Sequence, residues 1–391
     1  GADVPASHIA MEIGDPDGPF VPIPETLSPV PASFGSPSAG TLAVLQGMIG
    51  APDGNALSPY DPRAALCRVI NTAKARGFTP VVALEIEFYL IDPAIAAPAN
   101  HPLSNRRLDR LQMLDLDLLS AFEPVLADIE AGAVSLGLPT GSVLSEFGAG
   151  QFEVNLAHTD DAARACDQLI ALKRLVRSAA RRHGLDATFM AKPFDEWSGS
   201  GLHCHMSILD PGGRNIFDAP GEPVATTLGA AIAGVVATAA GTHLVHAPHL
   251  NSYRRHQPGS YAPATCNWGL DNRGAAIRVP ARTGPGARFE HRVAGADANP
   301  YLVVAALVAG ALKGLAETLS PPPPSIAEEG EGPHFPKSWR DAQDAFAASQ
   351  FAQSVFGAPL VKVFTAMKRQ EEATLLGKVT DVEHEAYLRT V

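Results

Sequence analysis

Four short stretches of the chain carry polar side chains at every second residue and apolar side chains between them. Because successive side chains of a β-strand point to opposite faces, each stretch predicts a strand with one apolar face and one polar face. A solvated sheet face usually carries Thr, Ser, Lys and mixed charges, whereas these faces carry carboxylates, imidazoles and guanidiniums. The polar sets are Glu85 and Glu87; Gln151, Glu153 and Asn155; His203, His205 and Ser207; and Arg288, Glu290 and Arg292.

Helical spacing of apolar residues predicts helices between and after these strands. Asp61 and Pro62 provide an N-cap and a proline at the first helical position, and Gly77 ends that helix. Long helices mixed with short strands that do not alternate with them predict an α+β fold with an antiparallel sheet. The other predicted helices cover 108–136, 160–183, 223–242, 300–319 and the tail from Ser338 onward.

The N-terminal range 1–59 differs from the rest of the chain. It is rich in Pro and Gly and shows little periodicity, so no core can be built from it. We therefore expect 1–59 to be a connecting or wrapping segment and linker. Residues 60–391 are expected to form one large domain.

Composition narrows the protein class. Hydrophobic residues make up 46% and charged residues 18%, which indicates a soluble globular protein. The net charge of −11 argues against a nucleic-acid or anionic-membrane partner. The uncharged range 223–242 is about long enough to span a bilayer but is rich in Ala, Gly and Thr, so we expect a buried helix. Four scattered cysteines without a CxxC pair, and first residues unlike a signal peptide, predict a cytoplasmic protein.

Each polar set is weak evidence by itself. Glu85 and Glu87 lie about 7 Å apart on a strand face, and such a pair is usually solvent-exposed. The Arg288–Arg292 set could equally be a surface ladder of ion pairs. Together, however, the carboxylates, imidazoles and guanidiniums make an oxygen-rich site for Mg²⁺ or Mn²⁺ beside phosphate-binding groups, which suits phosphoryl transfer from ATP. Zinc is disfavoured because no cysteine joins the histidines.

Seven motifs, in order, resemble the glutamine synthetase family. They are ExE, E-x4-Q-x-E, SGSGLHCHMSI, NSYRRxxPG, NR-x4-R, R-x-E-x-R and DANPYL, and they extend over about residues 60–391. The resemblance implies a catalytic domain with an antiparallel half-barrel sheet that follows a small β-grasp domain, which is almost absent from this chain. It also implies a homo-oligomer, a dodecamer of two hexameric rings with active sites between neighbouring subunits.

The resemblance also implies roles for individual residues. The substrates would be glutamate, ATP and an amine, joined through γ-glutamyl phosphate with two to three Mg²⁺ or Mn²⁺ ions per site. Glu87, Glu146 and Glu153 would hold one metal, and Glu85, His203 and Glu290 a second, which touches the ATP phosphates. The implied ATP contacts are His205, Ser207, Arg278 and Arg288; the catalytic arginines are Arg273, Arg278 and Arg288; and the glutamate contacts are Gly199, Arg255 and Arg292.

Departures from the family pattern concern the amine. Tyr261 stands where ammonia-using members carry a loop glutamate, and Ser198 replaces an asparagine that contacts the amino-acid substrate. The β-grasp domain is nearly absent, either because the chain is truncated or because the amine half of the site differs. Together the three departures resemble the γ-glutamylputrescine synthetase-like branch, which uses organic amines. Tyr261, Trp197 and Trp268 would then line the amine pocket, unless they are packing residues. The alternatives are a true glutamine synthetase and a non-catalytic relative.

Overall fold

A computed structural model describes residues 18–31, 34–35, 41–51, 56–222, 224–257, 260, 262–326 and 332–391. The strands in these ranges are β1 (Phe20–Pro22), β2 (Leu27–Pro29), β3 (Leu42–Val44), β4 (Gly47–Ile49), β5 (Thr79–Asp92), β6 (Ala97–Pro98), β7 (Thr140–Ser145), β8 (Gln151–Leu156), β9 (Asp186–Thr188), β10 (Leu202–Leu209), β11 (Trp268–Leu270), β12 (Ile277–Ala281) and β13 (Arg288–His291). All four strands predicted from the alternating pattern are confirmed.

One large sheet holds nine of these strands, in the order β11-β12-β13-β10-β5-β8-β7, with β6 and β9 also paired to β5. Its strand pairs are antiparallel as predicted, except that β11 and β12 are parallel. The expected α+β fold is confirmed.

The register of the central strands brings the polar residues of distant segments side by side. Glu85 of β5 lies opposite His203 of β10 on one side and opposite Asn155 of β8 on the other. Two residues further along β5, on the same face, Glu87 lies opposite Glu153. The other face of these strands is apolar, and it is buried at Leu84, Ile86, Phe88, Phe152, Val154, Leu202, Met206 and Phe289.

The helices are α1 (Pro62–Ala75), α2 (Leu116–Ala121), α3 (Glu123–Ser135), α4 (Ala162–Arg182), α5 (Thr226–His246), α6 (Pro300–Glu317), α7 (Trp339–Ala348), α8 (Gln350–Phe356), α9 (Ala358–Leu376) and α10 (Asp381–Tyr387). The predicted cap of α1 is confirmed, because the Asp61 carboxylate accepts a hydrogen bond from the amide of Ala64 at 2.8 Å. Gly77 follows α1 with a φ of 77°, a conformation that glycine adopts without steric cost.

Two of the predicted helices are divided in the structure. Residues 108–115 are irregular, and helix begins only at Leu116, where Asp115 caps the amide of Leu118. Pro124 in the first turn of α3 cannot donate an amide hydrogen bond, so α2 ends at Ala121 and a new helix begins. The predicted helical tail likewise breaks at Ser349, whose hydroxyl caps α8, and at Gly357, which has a φ of 87°.

The long apolar helices α5 and α6 pack against each other through glycines. A β-carbon on Gly234 of α5 would lie 2.0 Å from the carbonyl oxygen of Gly310 in α6, so only glycine permits this approach. By length and composition, both helices could cross a membrane, and most of each is buried inside the protein. The expectation of a buried helix over 223–242 is confirmed for α5.

The described part of 18–50 is more regular than the sequence indicates. It forms two small antiparallel sheets, β1 with β4 and β2 with β3. Gln46 connects this segment to the large domain, because its side-chain oxygen lies 3.0 Å from the Tyr301 hydroxyl, which is also 2.7 Å from the Asp167 carboxylate of α4. Such short strands carry too few residues for a periodicity to be visible in the sequence.

Candidate active site

A cavity of about 870 Å³ opens on the polar face of the large sheet. Strands β5, β7, β8, β10, β12 and β13 or the loops beside them contribute to its wall. Its lining combines carboxylates, an imidazole, guanidiniums and a few apolar side chains. The lining residues are Glu85, Glu87, Met113, Leu144, Glu146, Phe147, Gln151, Glu153, Asn155, Lys192, Trp197, Ser198, Gly199, His203, Arg255, Ser260, Arg273, Arg278, Glu290 and Arg292.

One candidate metal group consists of Glu87, Glu146 and Glu153, each of which offers an oxygen within 4.8 Å of the others. Glu146 follows β7 at the hairpin that leads into β8, and its amide donates to the carbonyl of Gln151 at 3.0 Å. The Glu87 carboxylate accepts a hydrogen bond from the amide of Gly201 at 2.7 Å. Three carboxylates so close together suit a hard divalent cation.

A second group surrounds Glu85. Its carboxylate lies 2.8 Å from Nε2 of His205 and 3.3 Å from Nδ1 of His203. Glu85, His205 and Glu290 offer atoms within 4.8 Å of one another, as do Glu85, Glu153 and His203. His203 Nδ1 also lies 3.7 Å from Glu290. Both imidazoles therefore border this group, whereas the sequence resemblance assigns a metal to His203 alone.

The electrostatics of the two groups differ. Burial, with repulsion from Glu87 and Glu153, raises the pKa of Glu146 to about 8. Burial, with repulsion from Glu85 and Glu87, likewise raises the pKa of Glu153 to about 8. At Glu85 burial acts in the same direction, but hydrogen bonds with His203 and His205 outweigh it and hold the pKa below its ordinary value.

This donor set fits divalent cations. Burial, and after it repulsion between neighbouring carboxylates, disfavours the charged forms of Glu146 and Glu153. Asn155 adds a buried side-chain oxygen that has no hydrogen-bond partner. A divalent cation between such oxygens would offset the repulsion among the carboxylates and would be coordinated by the oxygens.

Guanidiniums line the side of the cavity opposite the hairpin. Arg278 donates to Oε2 of Glu290 at 2.9 Å, and Arg292 donates to Oε1 of the same carboxylate. Arg292 also donates to the carbonyl of Arg273 at 3.0 Å. Arg255 is buried, and it donates to the carbonyls of Val293 at 2.8 Å and Arg292 at 3.2 Å. This region can bind anionic groups.

A second cavity of about 400 Å³ meets the first at Glu85. It is lined by His205, Ser207 and Arg288 among others, and Nε of Arg288 donates to Nδ1 of His205 at 3.2 Å. Three of the residues for which the sequence predicts ATP contacts thus lie together in this smaller cavity. Arg278, the fourth, lies in the larger one.

The proposed aromatic wall is only partly present. Trp197 lines the larger cavity. Trp268 does not: it is buried, and its indole N–H donates to the carbonyl of Pro322 at 2.6 Å. Of the two alternatives, packing therefore holds for Trp268, which lies in β11 and bonds to the proline-rich segment. Tyr261 lies outside the described residues.

Sequence reasoning assigned no role to several residues of the site. Gln151 connects three parts of it: its oxygen accepts from the amide of Gly148 at 3.0 Å, and its nitrogen donates to the carbonyl of Gly199 at 3.0 Å and toward Glu87 at 3.4 Å. Its position two residues before Glu153 placed it in the polar set of that strand, but the sequence did not show which groups it would bond. Lys192, Met113 and Leu144 have no comparable signal in the sequence.

Comparisons with known proteins agree with this geometry. The family model for the glutamine synthetase catalytic domain matches residues 59–387. The chain is 38% identical to γ-glutamylputrescine synthetase PuuA of Escherichia coli, over 100% of this chain and 83% of that protein. It is 33% identical to the glutamate–isopropylamine ligase of a Pseudomonas species, over 91% of this chain and 78% of that protein.

Among solved structures, a GmaS/ADP complex superposes with a TM-score of 0.84 at 31% identity, over 94% of this chain and 85% of that one. The family match covers most of the chain, and the relatives cover nearly all of it. On this evidence the chain belongs to the glutamine synthetase family.

Proposed function

We propose that this protein is an ATP-dependent ligase that joins the γ-carboxylate of glutamate to an amine. The observation that carries the proposal is the pair of acidic and imidazole groups centred on Glu85 and Glu146, with Arg278 and Arg292 beside them in one cavity. Retention of a complete set of metal-binding side chains favours an enzyme over a non-catalytic relative. The names of the relatives, a glutamate–isopropylamine ligase among them, support the same reaction class.

In this proposal Glu87, Glu146 and Glu153 hold one divalent cation, and Glu85, His203 and Glu290 hold a second. His205 lies close to Glu85 and Glu290, so it would either bind a third ion together with them or contact a phosphate directly. Bound Mg²⁺ or Mn²⁺ would neutralise phosphate charge and polarise the reacting oxygens. The protein's own contribution is to hold the carboxylates on β5, β8 and β13 and at the hairpin between β7 and β8.

ATP would enter through the smaller cavity, with its phosphates pointing toward Glu85. Ser207 would contact the nucleotide and His205 a phosphate, while Arg288 extends toward the same place. Arg278 and Arg273 approach from the larger cavity. These three arginines would stabilise the negative charge of the phosphoryl group as it transfers.

Glutamate would bind in the larger cavity. Arg255 is fixed by its hydrogen bonds to the carbonyls of Val293 and Arg292, which leaves other N–H groups of the guanidinium for a carboxylate. Gly199 offers its backbone beside it, since a β-carbon there would lie 2.6 Å from the Arg255 side chain. With Arg292 these residues would fix the α-carboxylate and orient the γ-carboxylate toward ATP.

The reaction would then proceed in two steps. An oxygen of the γ-carboxylate attacks the terminal phosphorus of ATP, and ADP leaves. The amine nitrogen next attacks the acyl carbon, the bond from this carbon to the phosphate oxygen breaks, and the nitrogen releases a proton as the amide forms. Phosphorylation is needed because an unactivated carboxylate oxygen is a poor leaving group.

The assembly and location of the protein are also proposed. We infer a homo-oligomer, a dodecamer of two hexameric rings, from family membership. We infer a cytoplasmic location because all four cysteines are free thiols, and three of them are buried. The division into a segment over 1–59 and a catalytic domain over 60–391 is a proposal of the same kind.

The experiment that tests the function measures Mg²⁺-dependent ADP and phosphate release from ATP and glutamate with ammonium and a panel of organic amines. Strong release with an organic amine and little with ammonium supports the proposal. Release with ammonium alone would make the protein a glutamine synthetase. Absence of release with every amine would contradict ligase activity.

A further inference from the structure

Asp297, the first residue of the DANPYL motif, is not among the described lining of either cavity. Its Oδ2 accepts a hydrogen bond at 2.7 Å from the hydroxyl of Ser252, which belongs to the NSYRR motif. The same hydroxyl accepts from the amide of His249 at 3.1 Å, so its one hydrogen is available for Asp297. One hydrogen bond therefore joins two motifs that lie far apart in the sequence.

Ser252 lies in the turn that carries Arg255. This turn is the short 3₁₀ helix Leu250–Arg254, which ends directly before Arg255. The amide of Arg255 donates to the carbonyl of Ser252 at 3.2 Å, and both residues are buried. A shift of Ser252 would therefore move the backbone from which the Arg255 guanidinium extends.

The segment that carries Asp297 also holds a glycine that packs against Arg255. The amide of Ala296 donates to the carbonyl of Ser200 at 2.9 Å, directly before Gly201. A β-carbon on Gly201 would lie 2.7 Å from a terminal nitrogen of Arg255, so the backbone approaches the guanidinium closely there. The position of Arg255 thus depends on this segment through its own turn and through the neighbouring backbone.

Lys173 of α4 anchors the same segment, because its ammonium donates to the carbonyl of Ala296 at 2.6 Å. Burial lowers the pKa of Lys173 to about 8 and raises the pKa of Asp297. Burial also lowers the pKa of Arg255, and the negative charge of Asp297 counteracts this effect. All of these contacts lie within one chain, so they do not depend on a neighbouring subunit of the proposed oligomer.

From this geometry, and resting on the proposed function, we infer that Asp297 is a positioning residue for the glutamate site. The hydrogen bond that it accepts from Ser252 fixes the turn from which Arg255 binds the α-carboxylate of glutamate. This carboxylate does not react, so loss of the bond weakens glutamate binding equally in the ground state and the transition state. The expected signature is a higher KM for glutamate with unchanged kcat and unchanged KM for ATP.

The test uses single and double variants, assayed by ADP release with the amine that the wild-type protein uses best. Ser252→Ala and Asp297→Ala should each raise KM for glutamate about tenfold, while kcat and KM for ATP change by less than about twofold. The double variant should raise this KM no further than either single variant, because both changes remove the same bond. Partial unfolding would lower apparent kcat without raising KM, so KM separates loss of positioning from loss of fold.

Two further variants serve as controls. Asp297→Asn keeps an oxygen that can accept from Ser252, so KM for glutamate should stay within about threefold of the wild-type value. Asp344→Ala should leave all three constants unchanged, because Asp344 is exposed and pairs with Arg369 at 2.8 Å, outside both cavities.

An unchanged KM for glutamate in Ser252→Ala, or multiplied effects in the double variant, would overturn the inference while the ligase function stands. A rise in Asp297→Asn as large as that in Asp297→Ala would also overturn the assignment to this hydrogen bond. Wild-type protein that releases no ADP with glutamate and any amine would contradict the proposed function itself.

Discussion

His205 and Glu85 are joined where the two cavities meet: Nε2 of the imidazole lies 2.8 Å from Oε1 of the carboxylate. Glu85 lines both cavities, and His205 lines the smaller one. The other nitrogen of His205 accepts from Arg288 at 3.2 Å. A phosphoryl group that passed from nucleotide to glutamate in the proposed reaction would cross at this pair.

Replacing Glu290 should stop turnover. Glu290 is buried, lies 3.7 Å from His203 and accepts hydrogen bonds from Arg278 and Arg292. Glu290→Gln keeps the shape but removes the charge, so we expect kcat for ADP release to fall by about a thousandfold. Mn²⁺ titration of the variant should show weaker binding as well.

A matched control for this variant is Glu317→Gln, because Glu317 forms an exposed ion pair with Lys313 on α6. It should leave kcat and Mn²⁺ binding unchanged. Normal ADP release in Glu290→Gln would refute the metal assignment.

Removal of metal should make stability depend on pH. Glu146 and Glu153 have a pKa of about 8 in the folded chain, against an ordinary value of 4.5. A carboxyl whose pKa is raised by folding stabilises the folded state at low pH, and this contribution is lost as pH rises from 4.5 to about 8. Glu85 and Glu290 have lowered pKa values and stay ionised across that window.

We therefore expect Mg²⁺ to raise Tm more at pH 8.5 than at pH 5.5, by about 5 °C more. The readout is the Tm difference between EDTA and MgCl₂ at each pH, since groups far from the site titrate equally in both. Glu146→Gln should reduce the pH dependence of this difference. An equal Mg²⁺ effect at both pH values would show that these carboxylates do not share a cation.

Gln151 is expected to position the site without touching the reacting atoms. Gln151→Leu would remove the bonds to Gly148, Gly199 and Glu87 together. Loss of such supporting bonds commonly lowers metal affinity 10- to 100-fold, so half-saturation by Mn²⁺ should shift upward by about that factor. Gln353→Leu on α8 is a control, since its side chain bonds the exposed carbonyl of Ala347 and is not part of the described cavity lining. Wild-type Mn²⁺ affinity in Gln151→Leu would argue against this role.

Tyr261 is expected to influence the choice of amine. This prediction rests on the sequence alone: the phenol stands where ammonia-using relatives carry a glutamate, and a neutral phenol attracts a small cation poorly. Tyr261→Glu should raise kcat/KM for ammonium relative to organic amines. An unchanged ratio, measured with the same ADP assay, would show that this position does not set the acceptor.

Local sequence determined the central strands, their polar face and the ends of some helices. Alternation at Glu85 and Glu87, or at His203 and His205, predicted both the strands and the face on which chemistry would occur, because strand geometry alone places every second side chain together. Caps such as Asp61 and breakers such as Gly77 acted within a few residues, so they too were visible. The prediction of one continuous helix over 108–136 was wrong, because an apolar run does not reveal that Pro124 will divide the helix.

Only the tertiary structure decided which residues share the site. The pairing of β10 with β13 placed His205 opposite Glu290, and the pairing of β7 with β8 placed Leu144 opposite Glu153. Trp268 is buried and donates to the carbonyl of Pro322, and it does not line the cavity. These outcomes depend on the register between strands far apart in sequence, which is set by packing of the whole sheet and leaves no mark in any single segment.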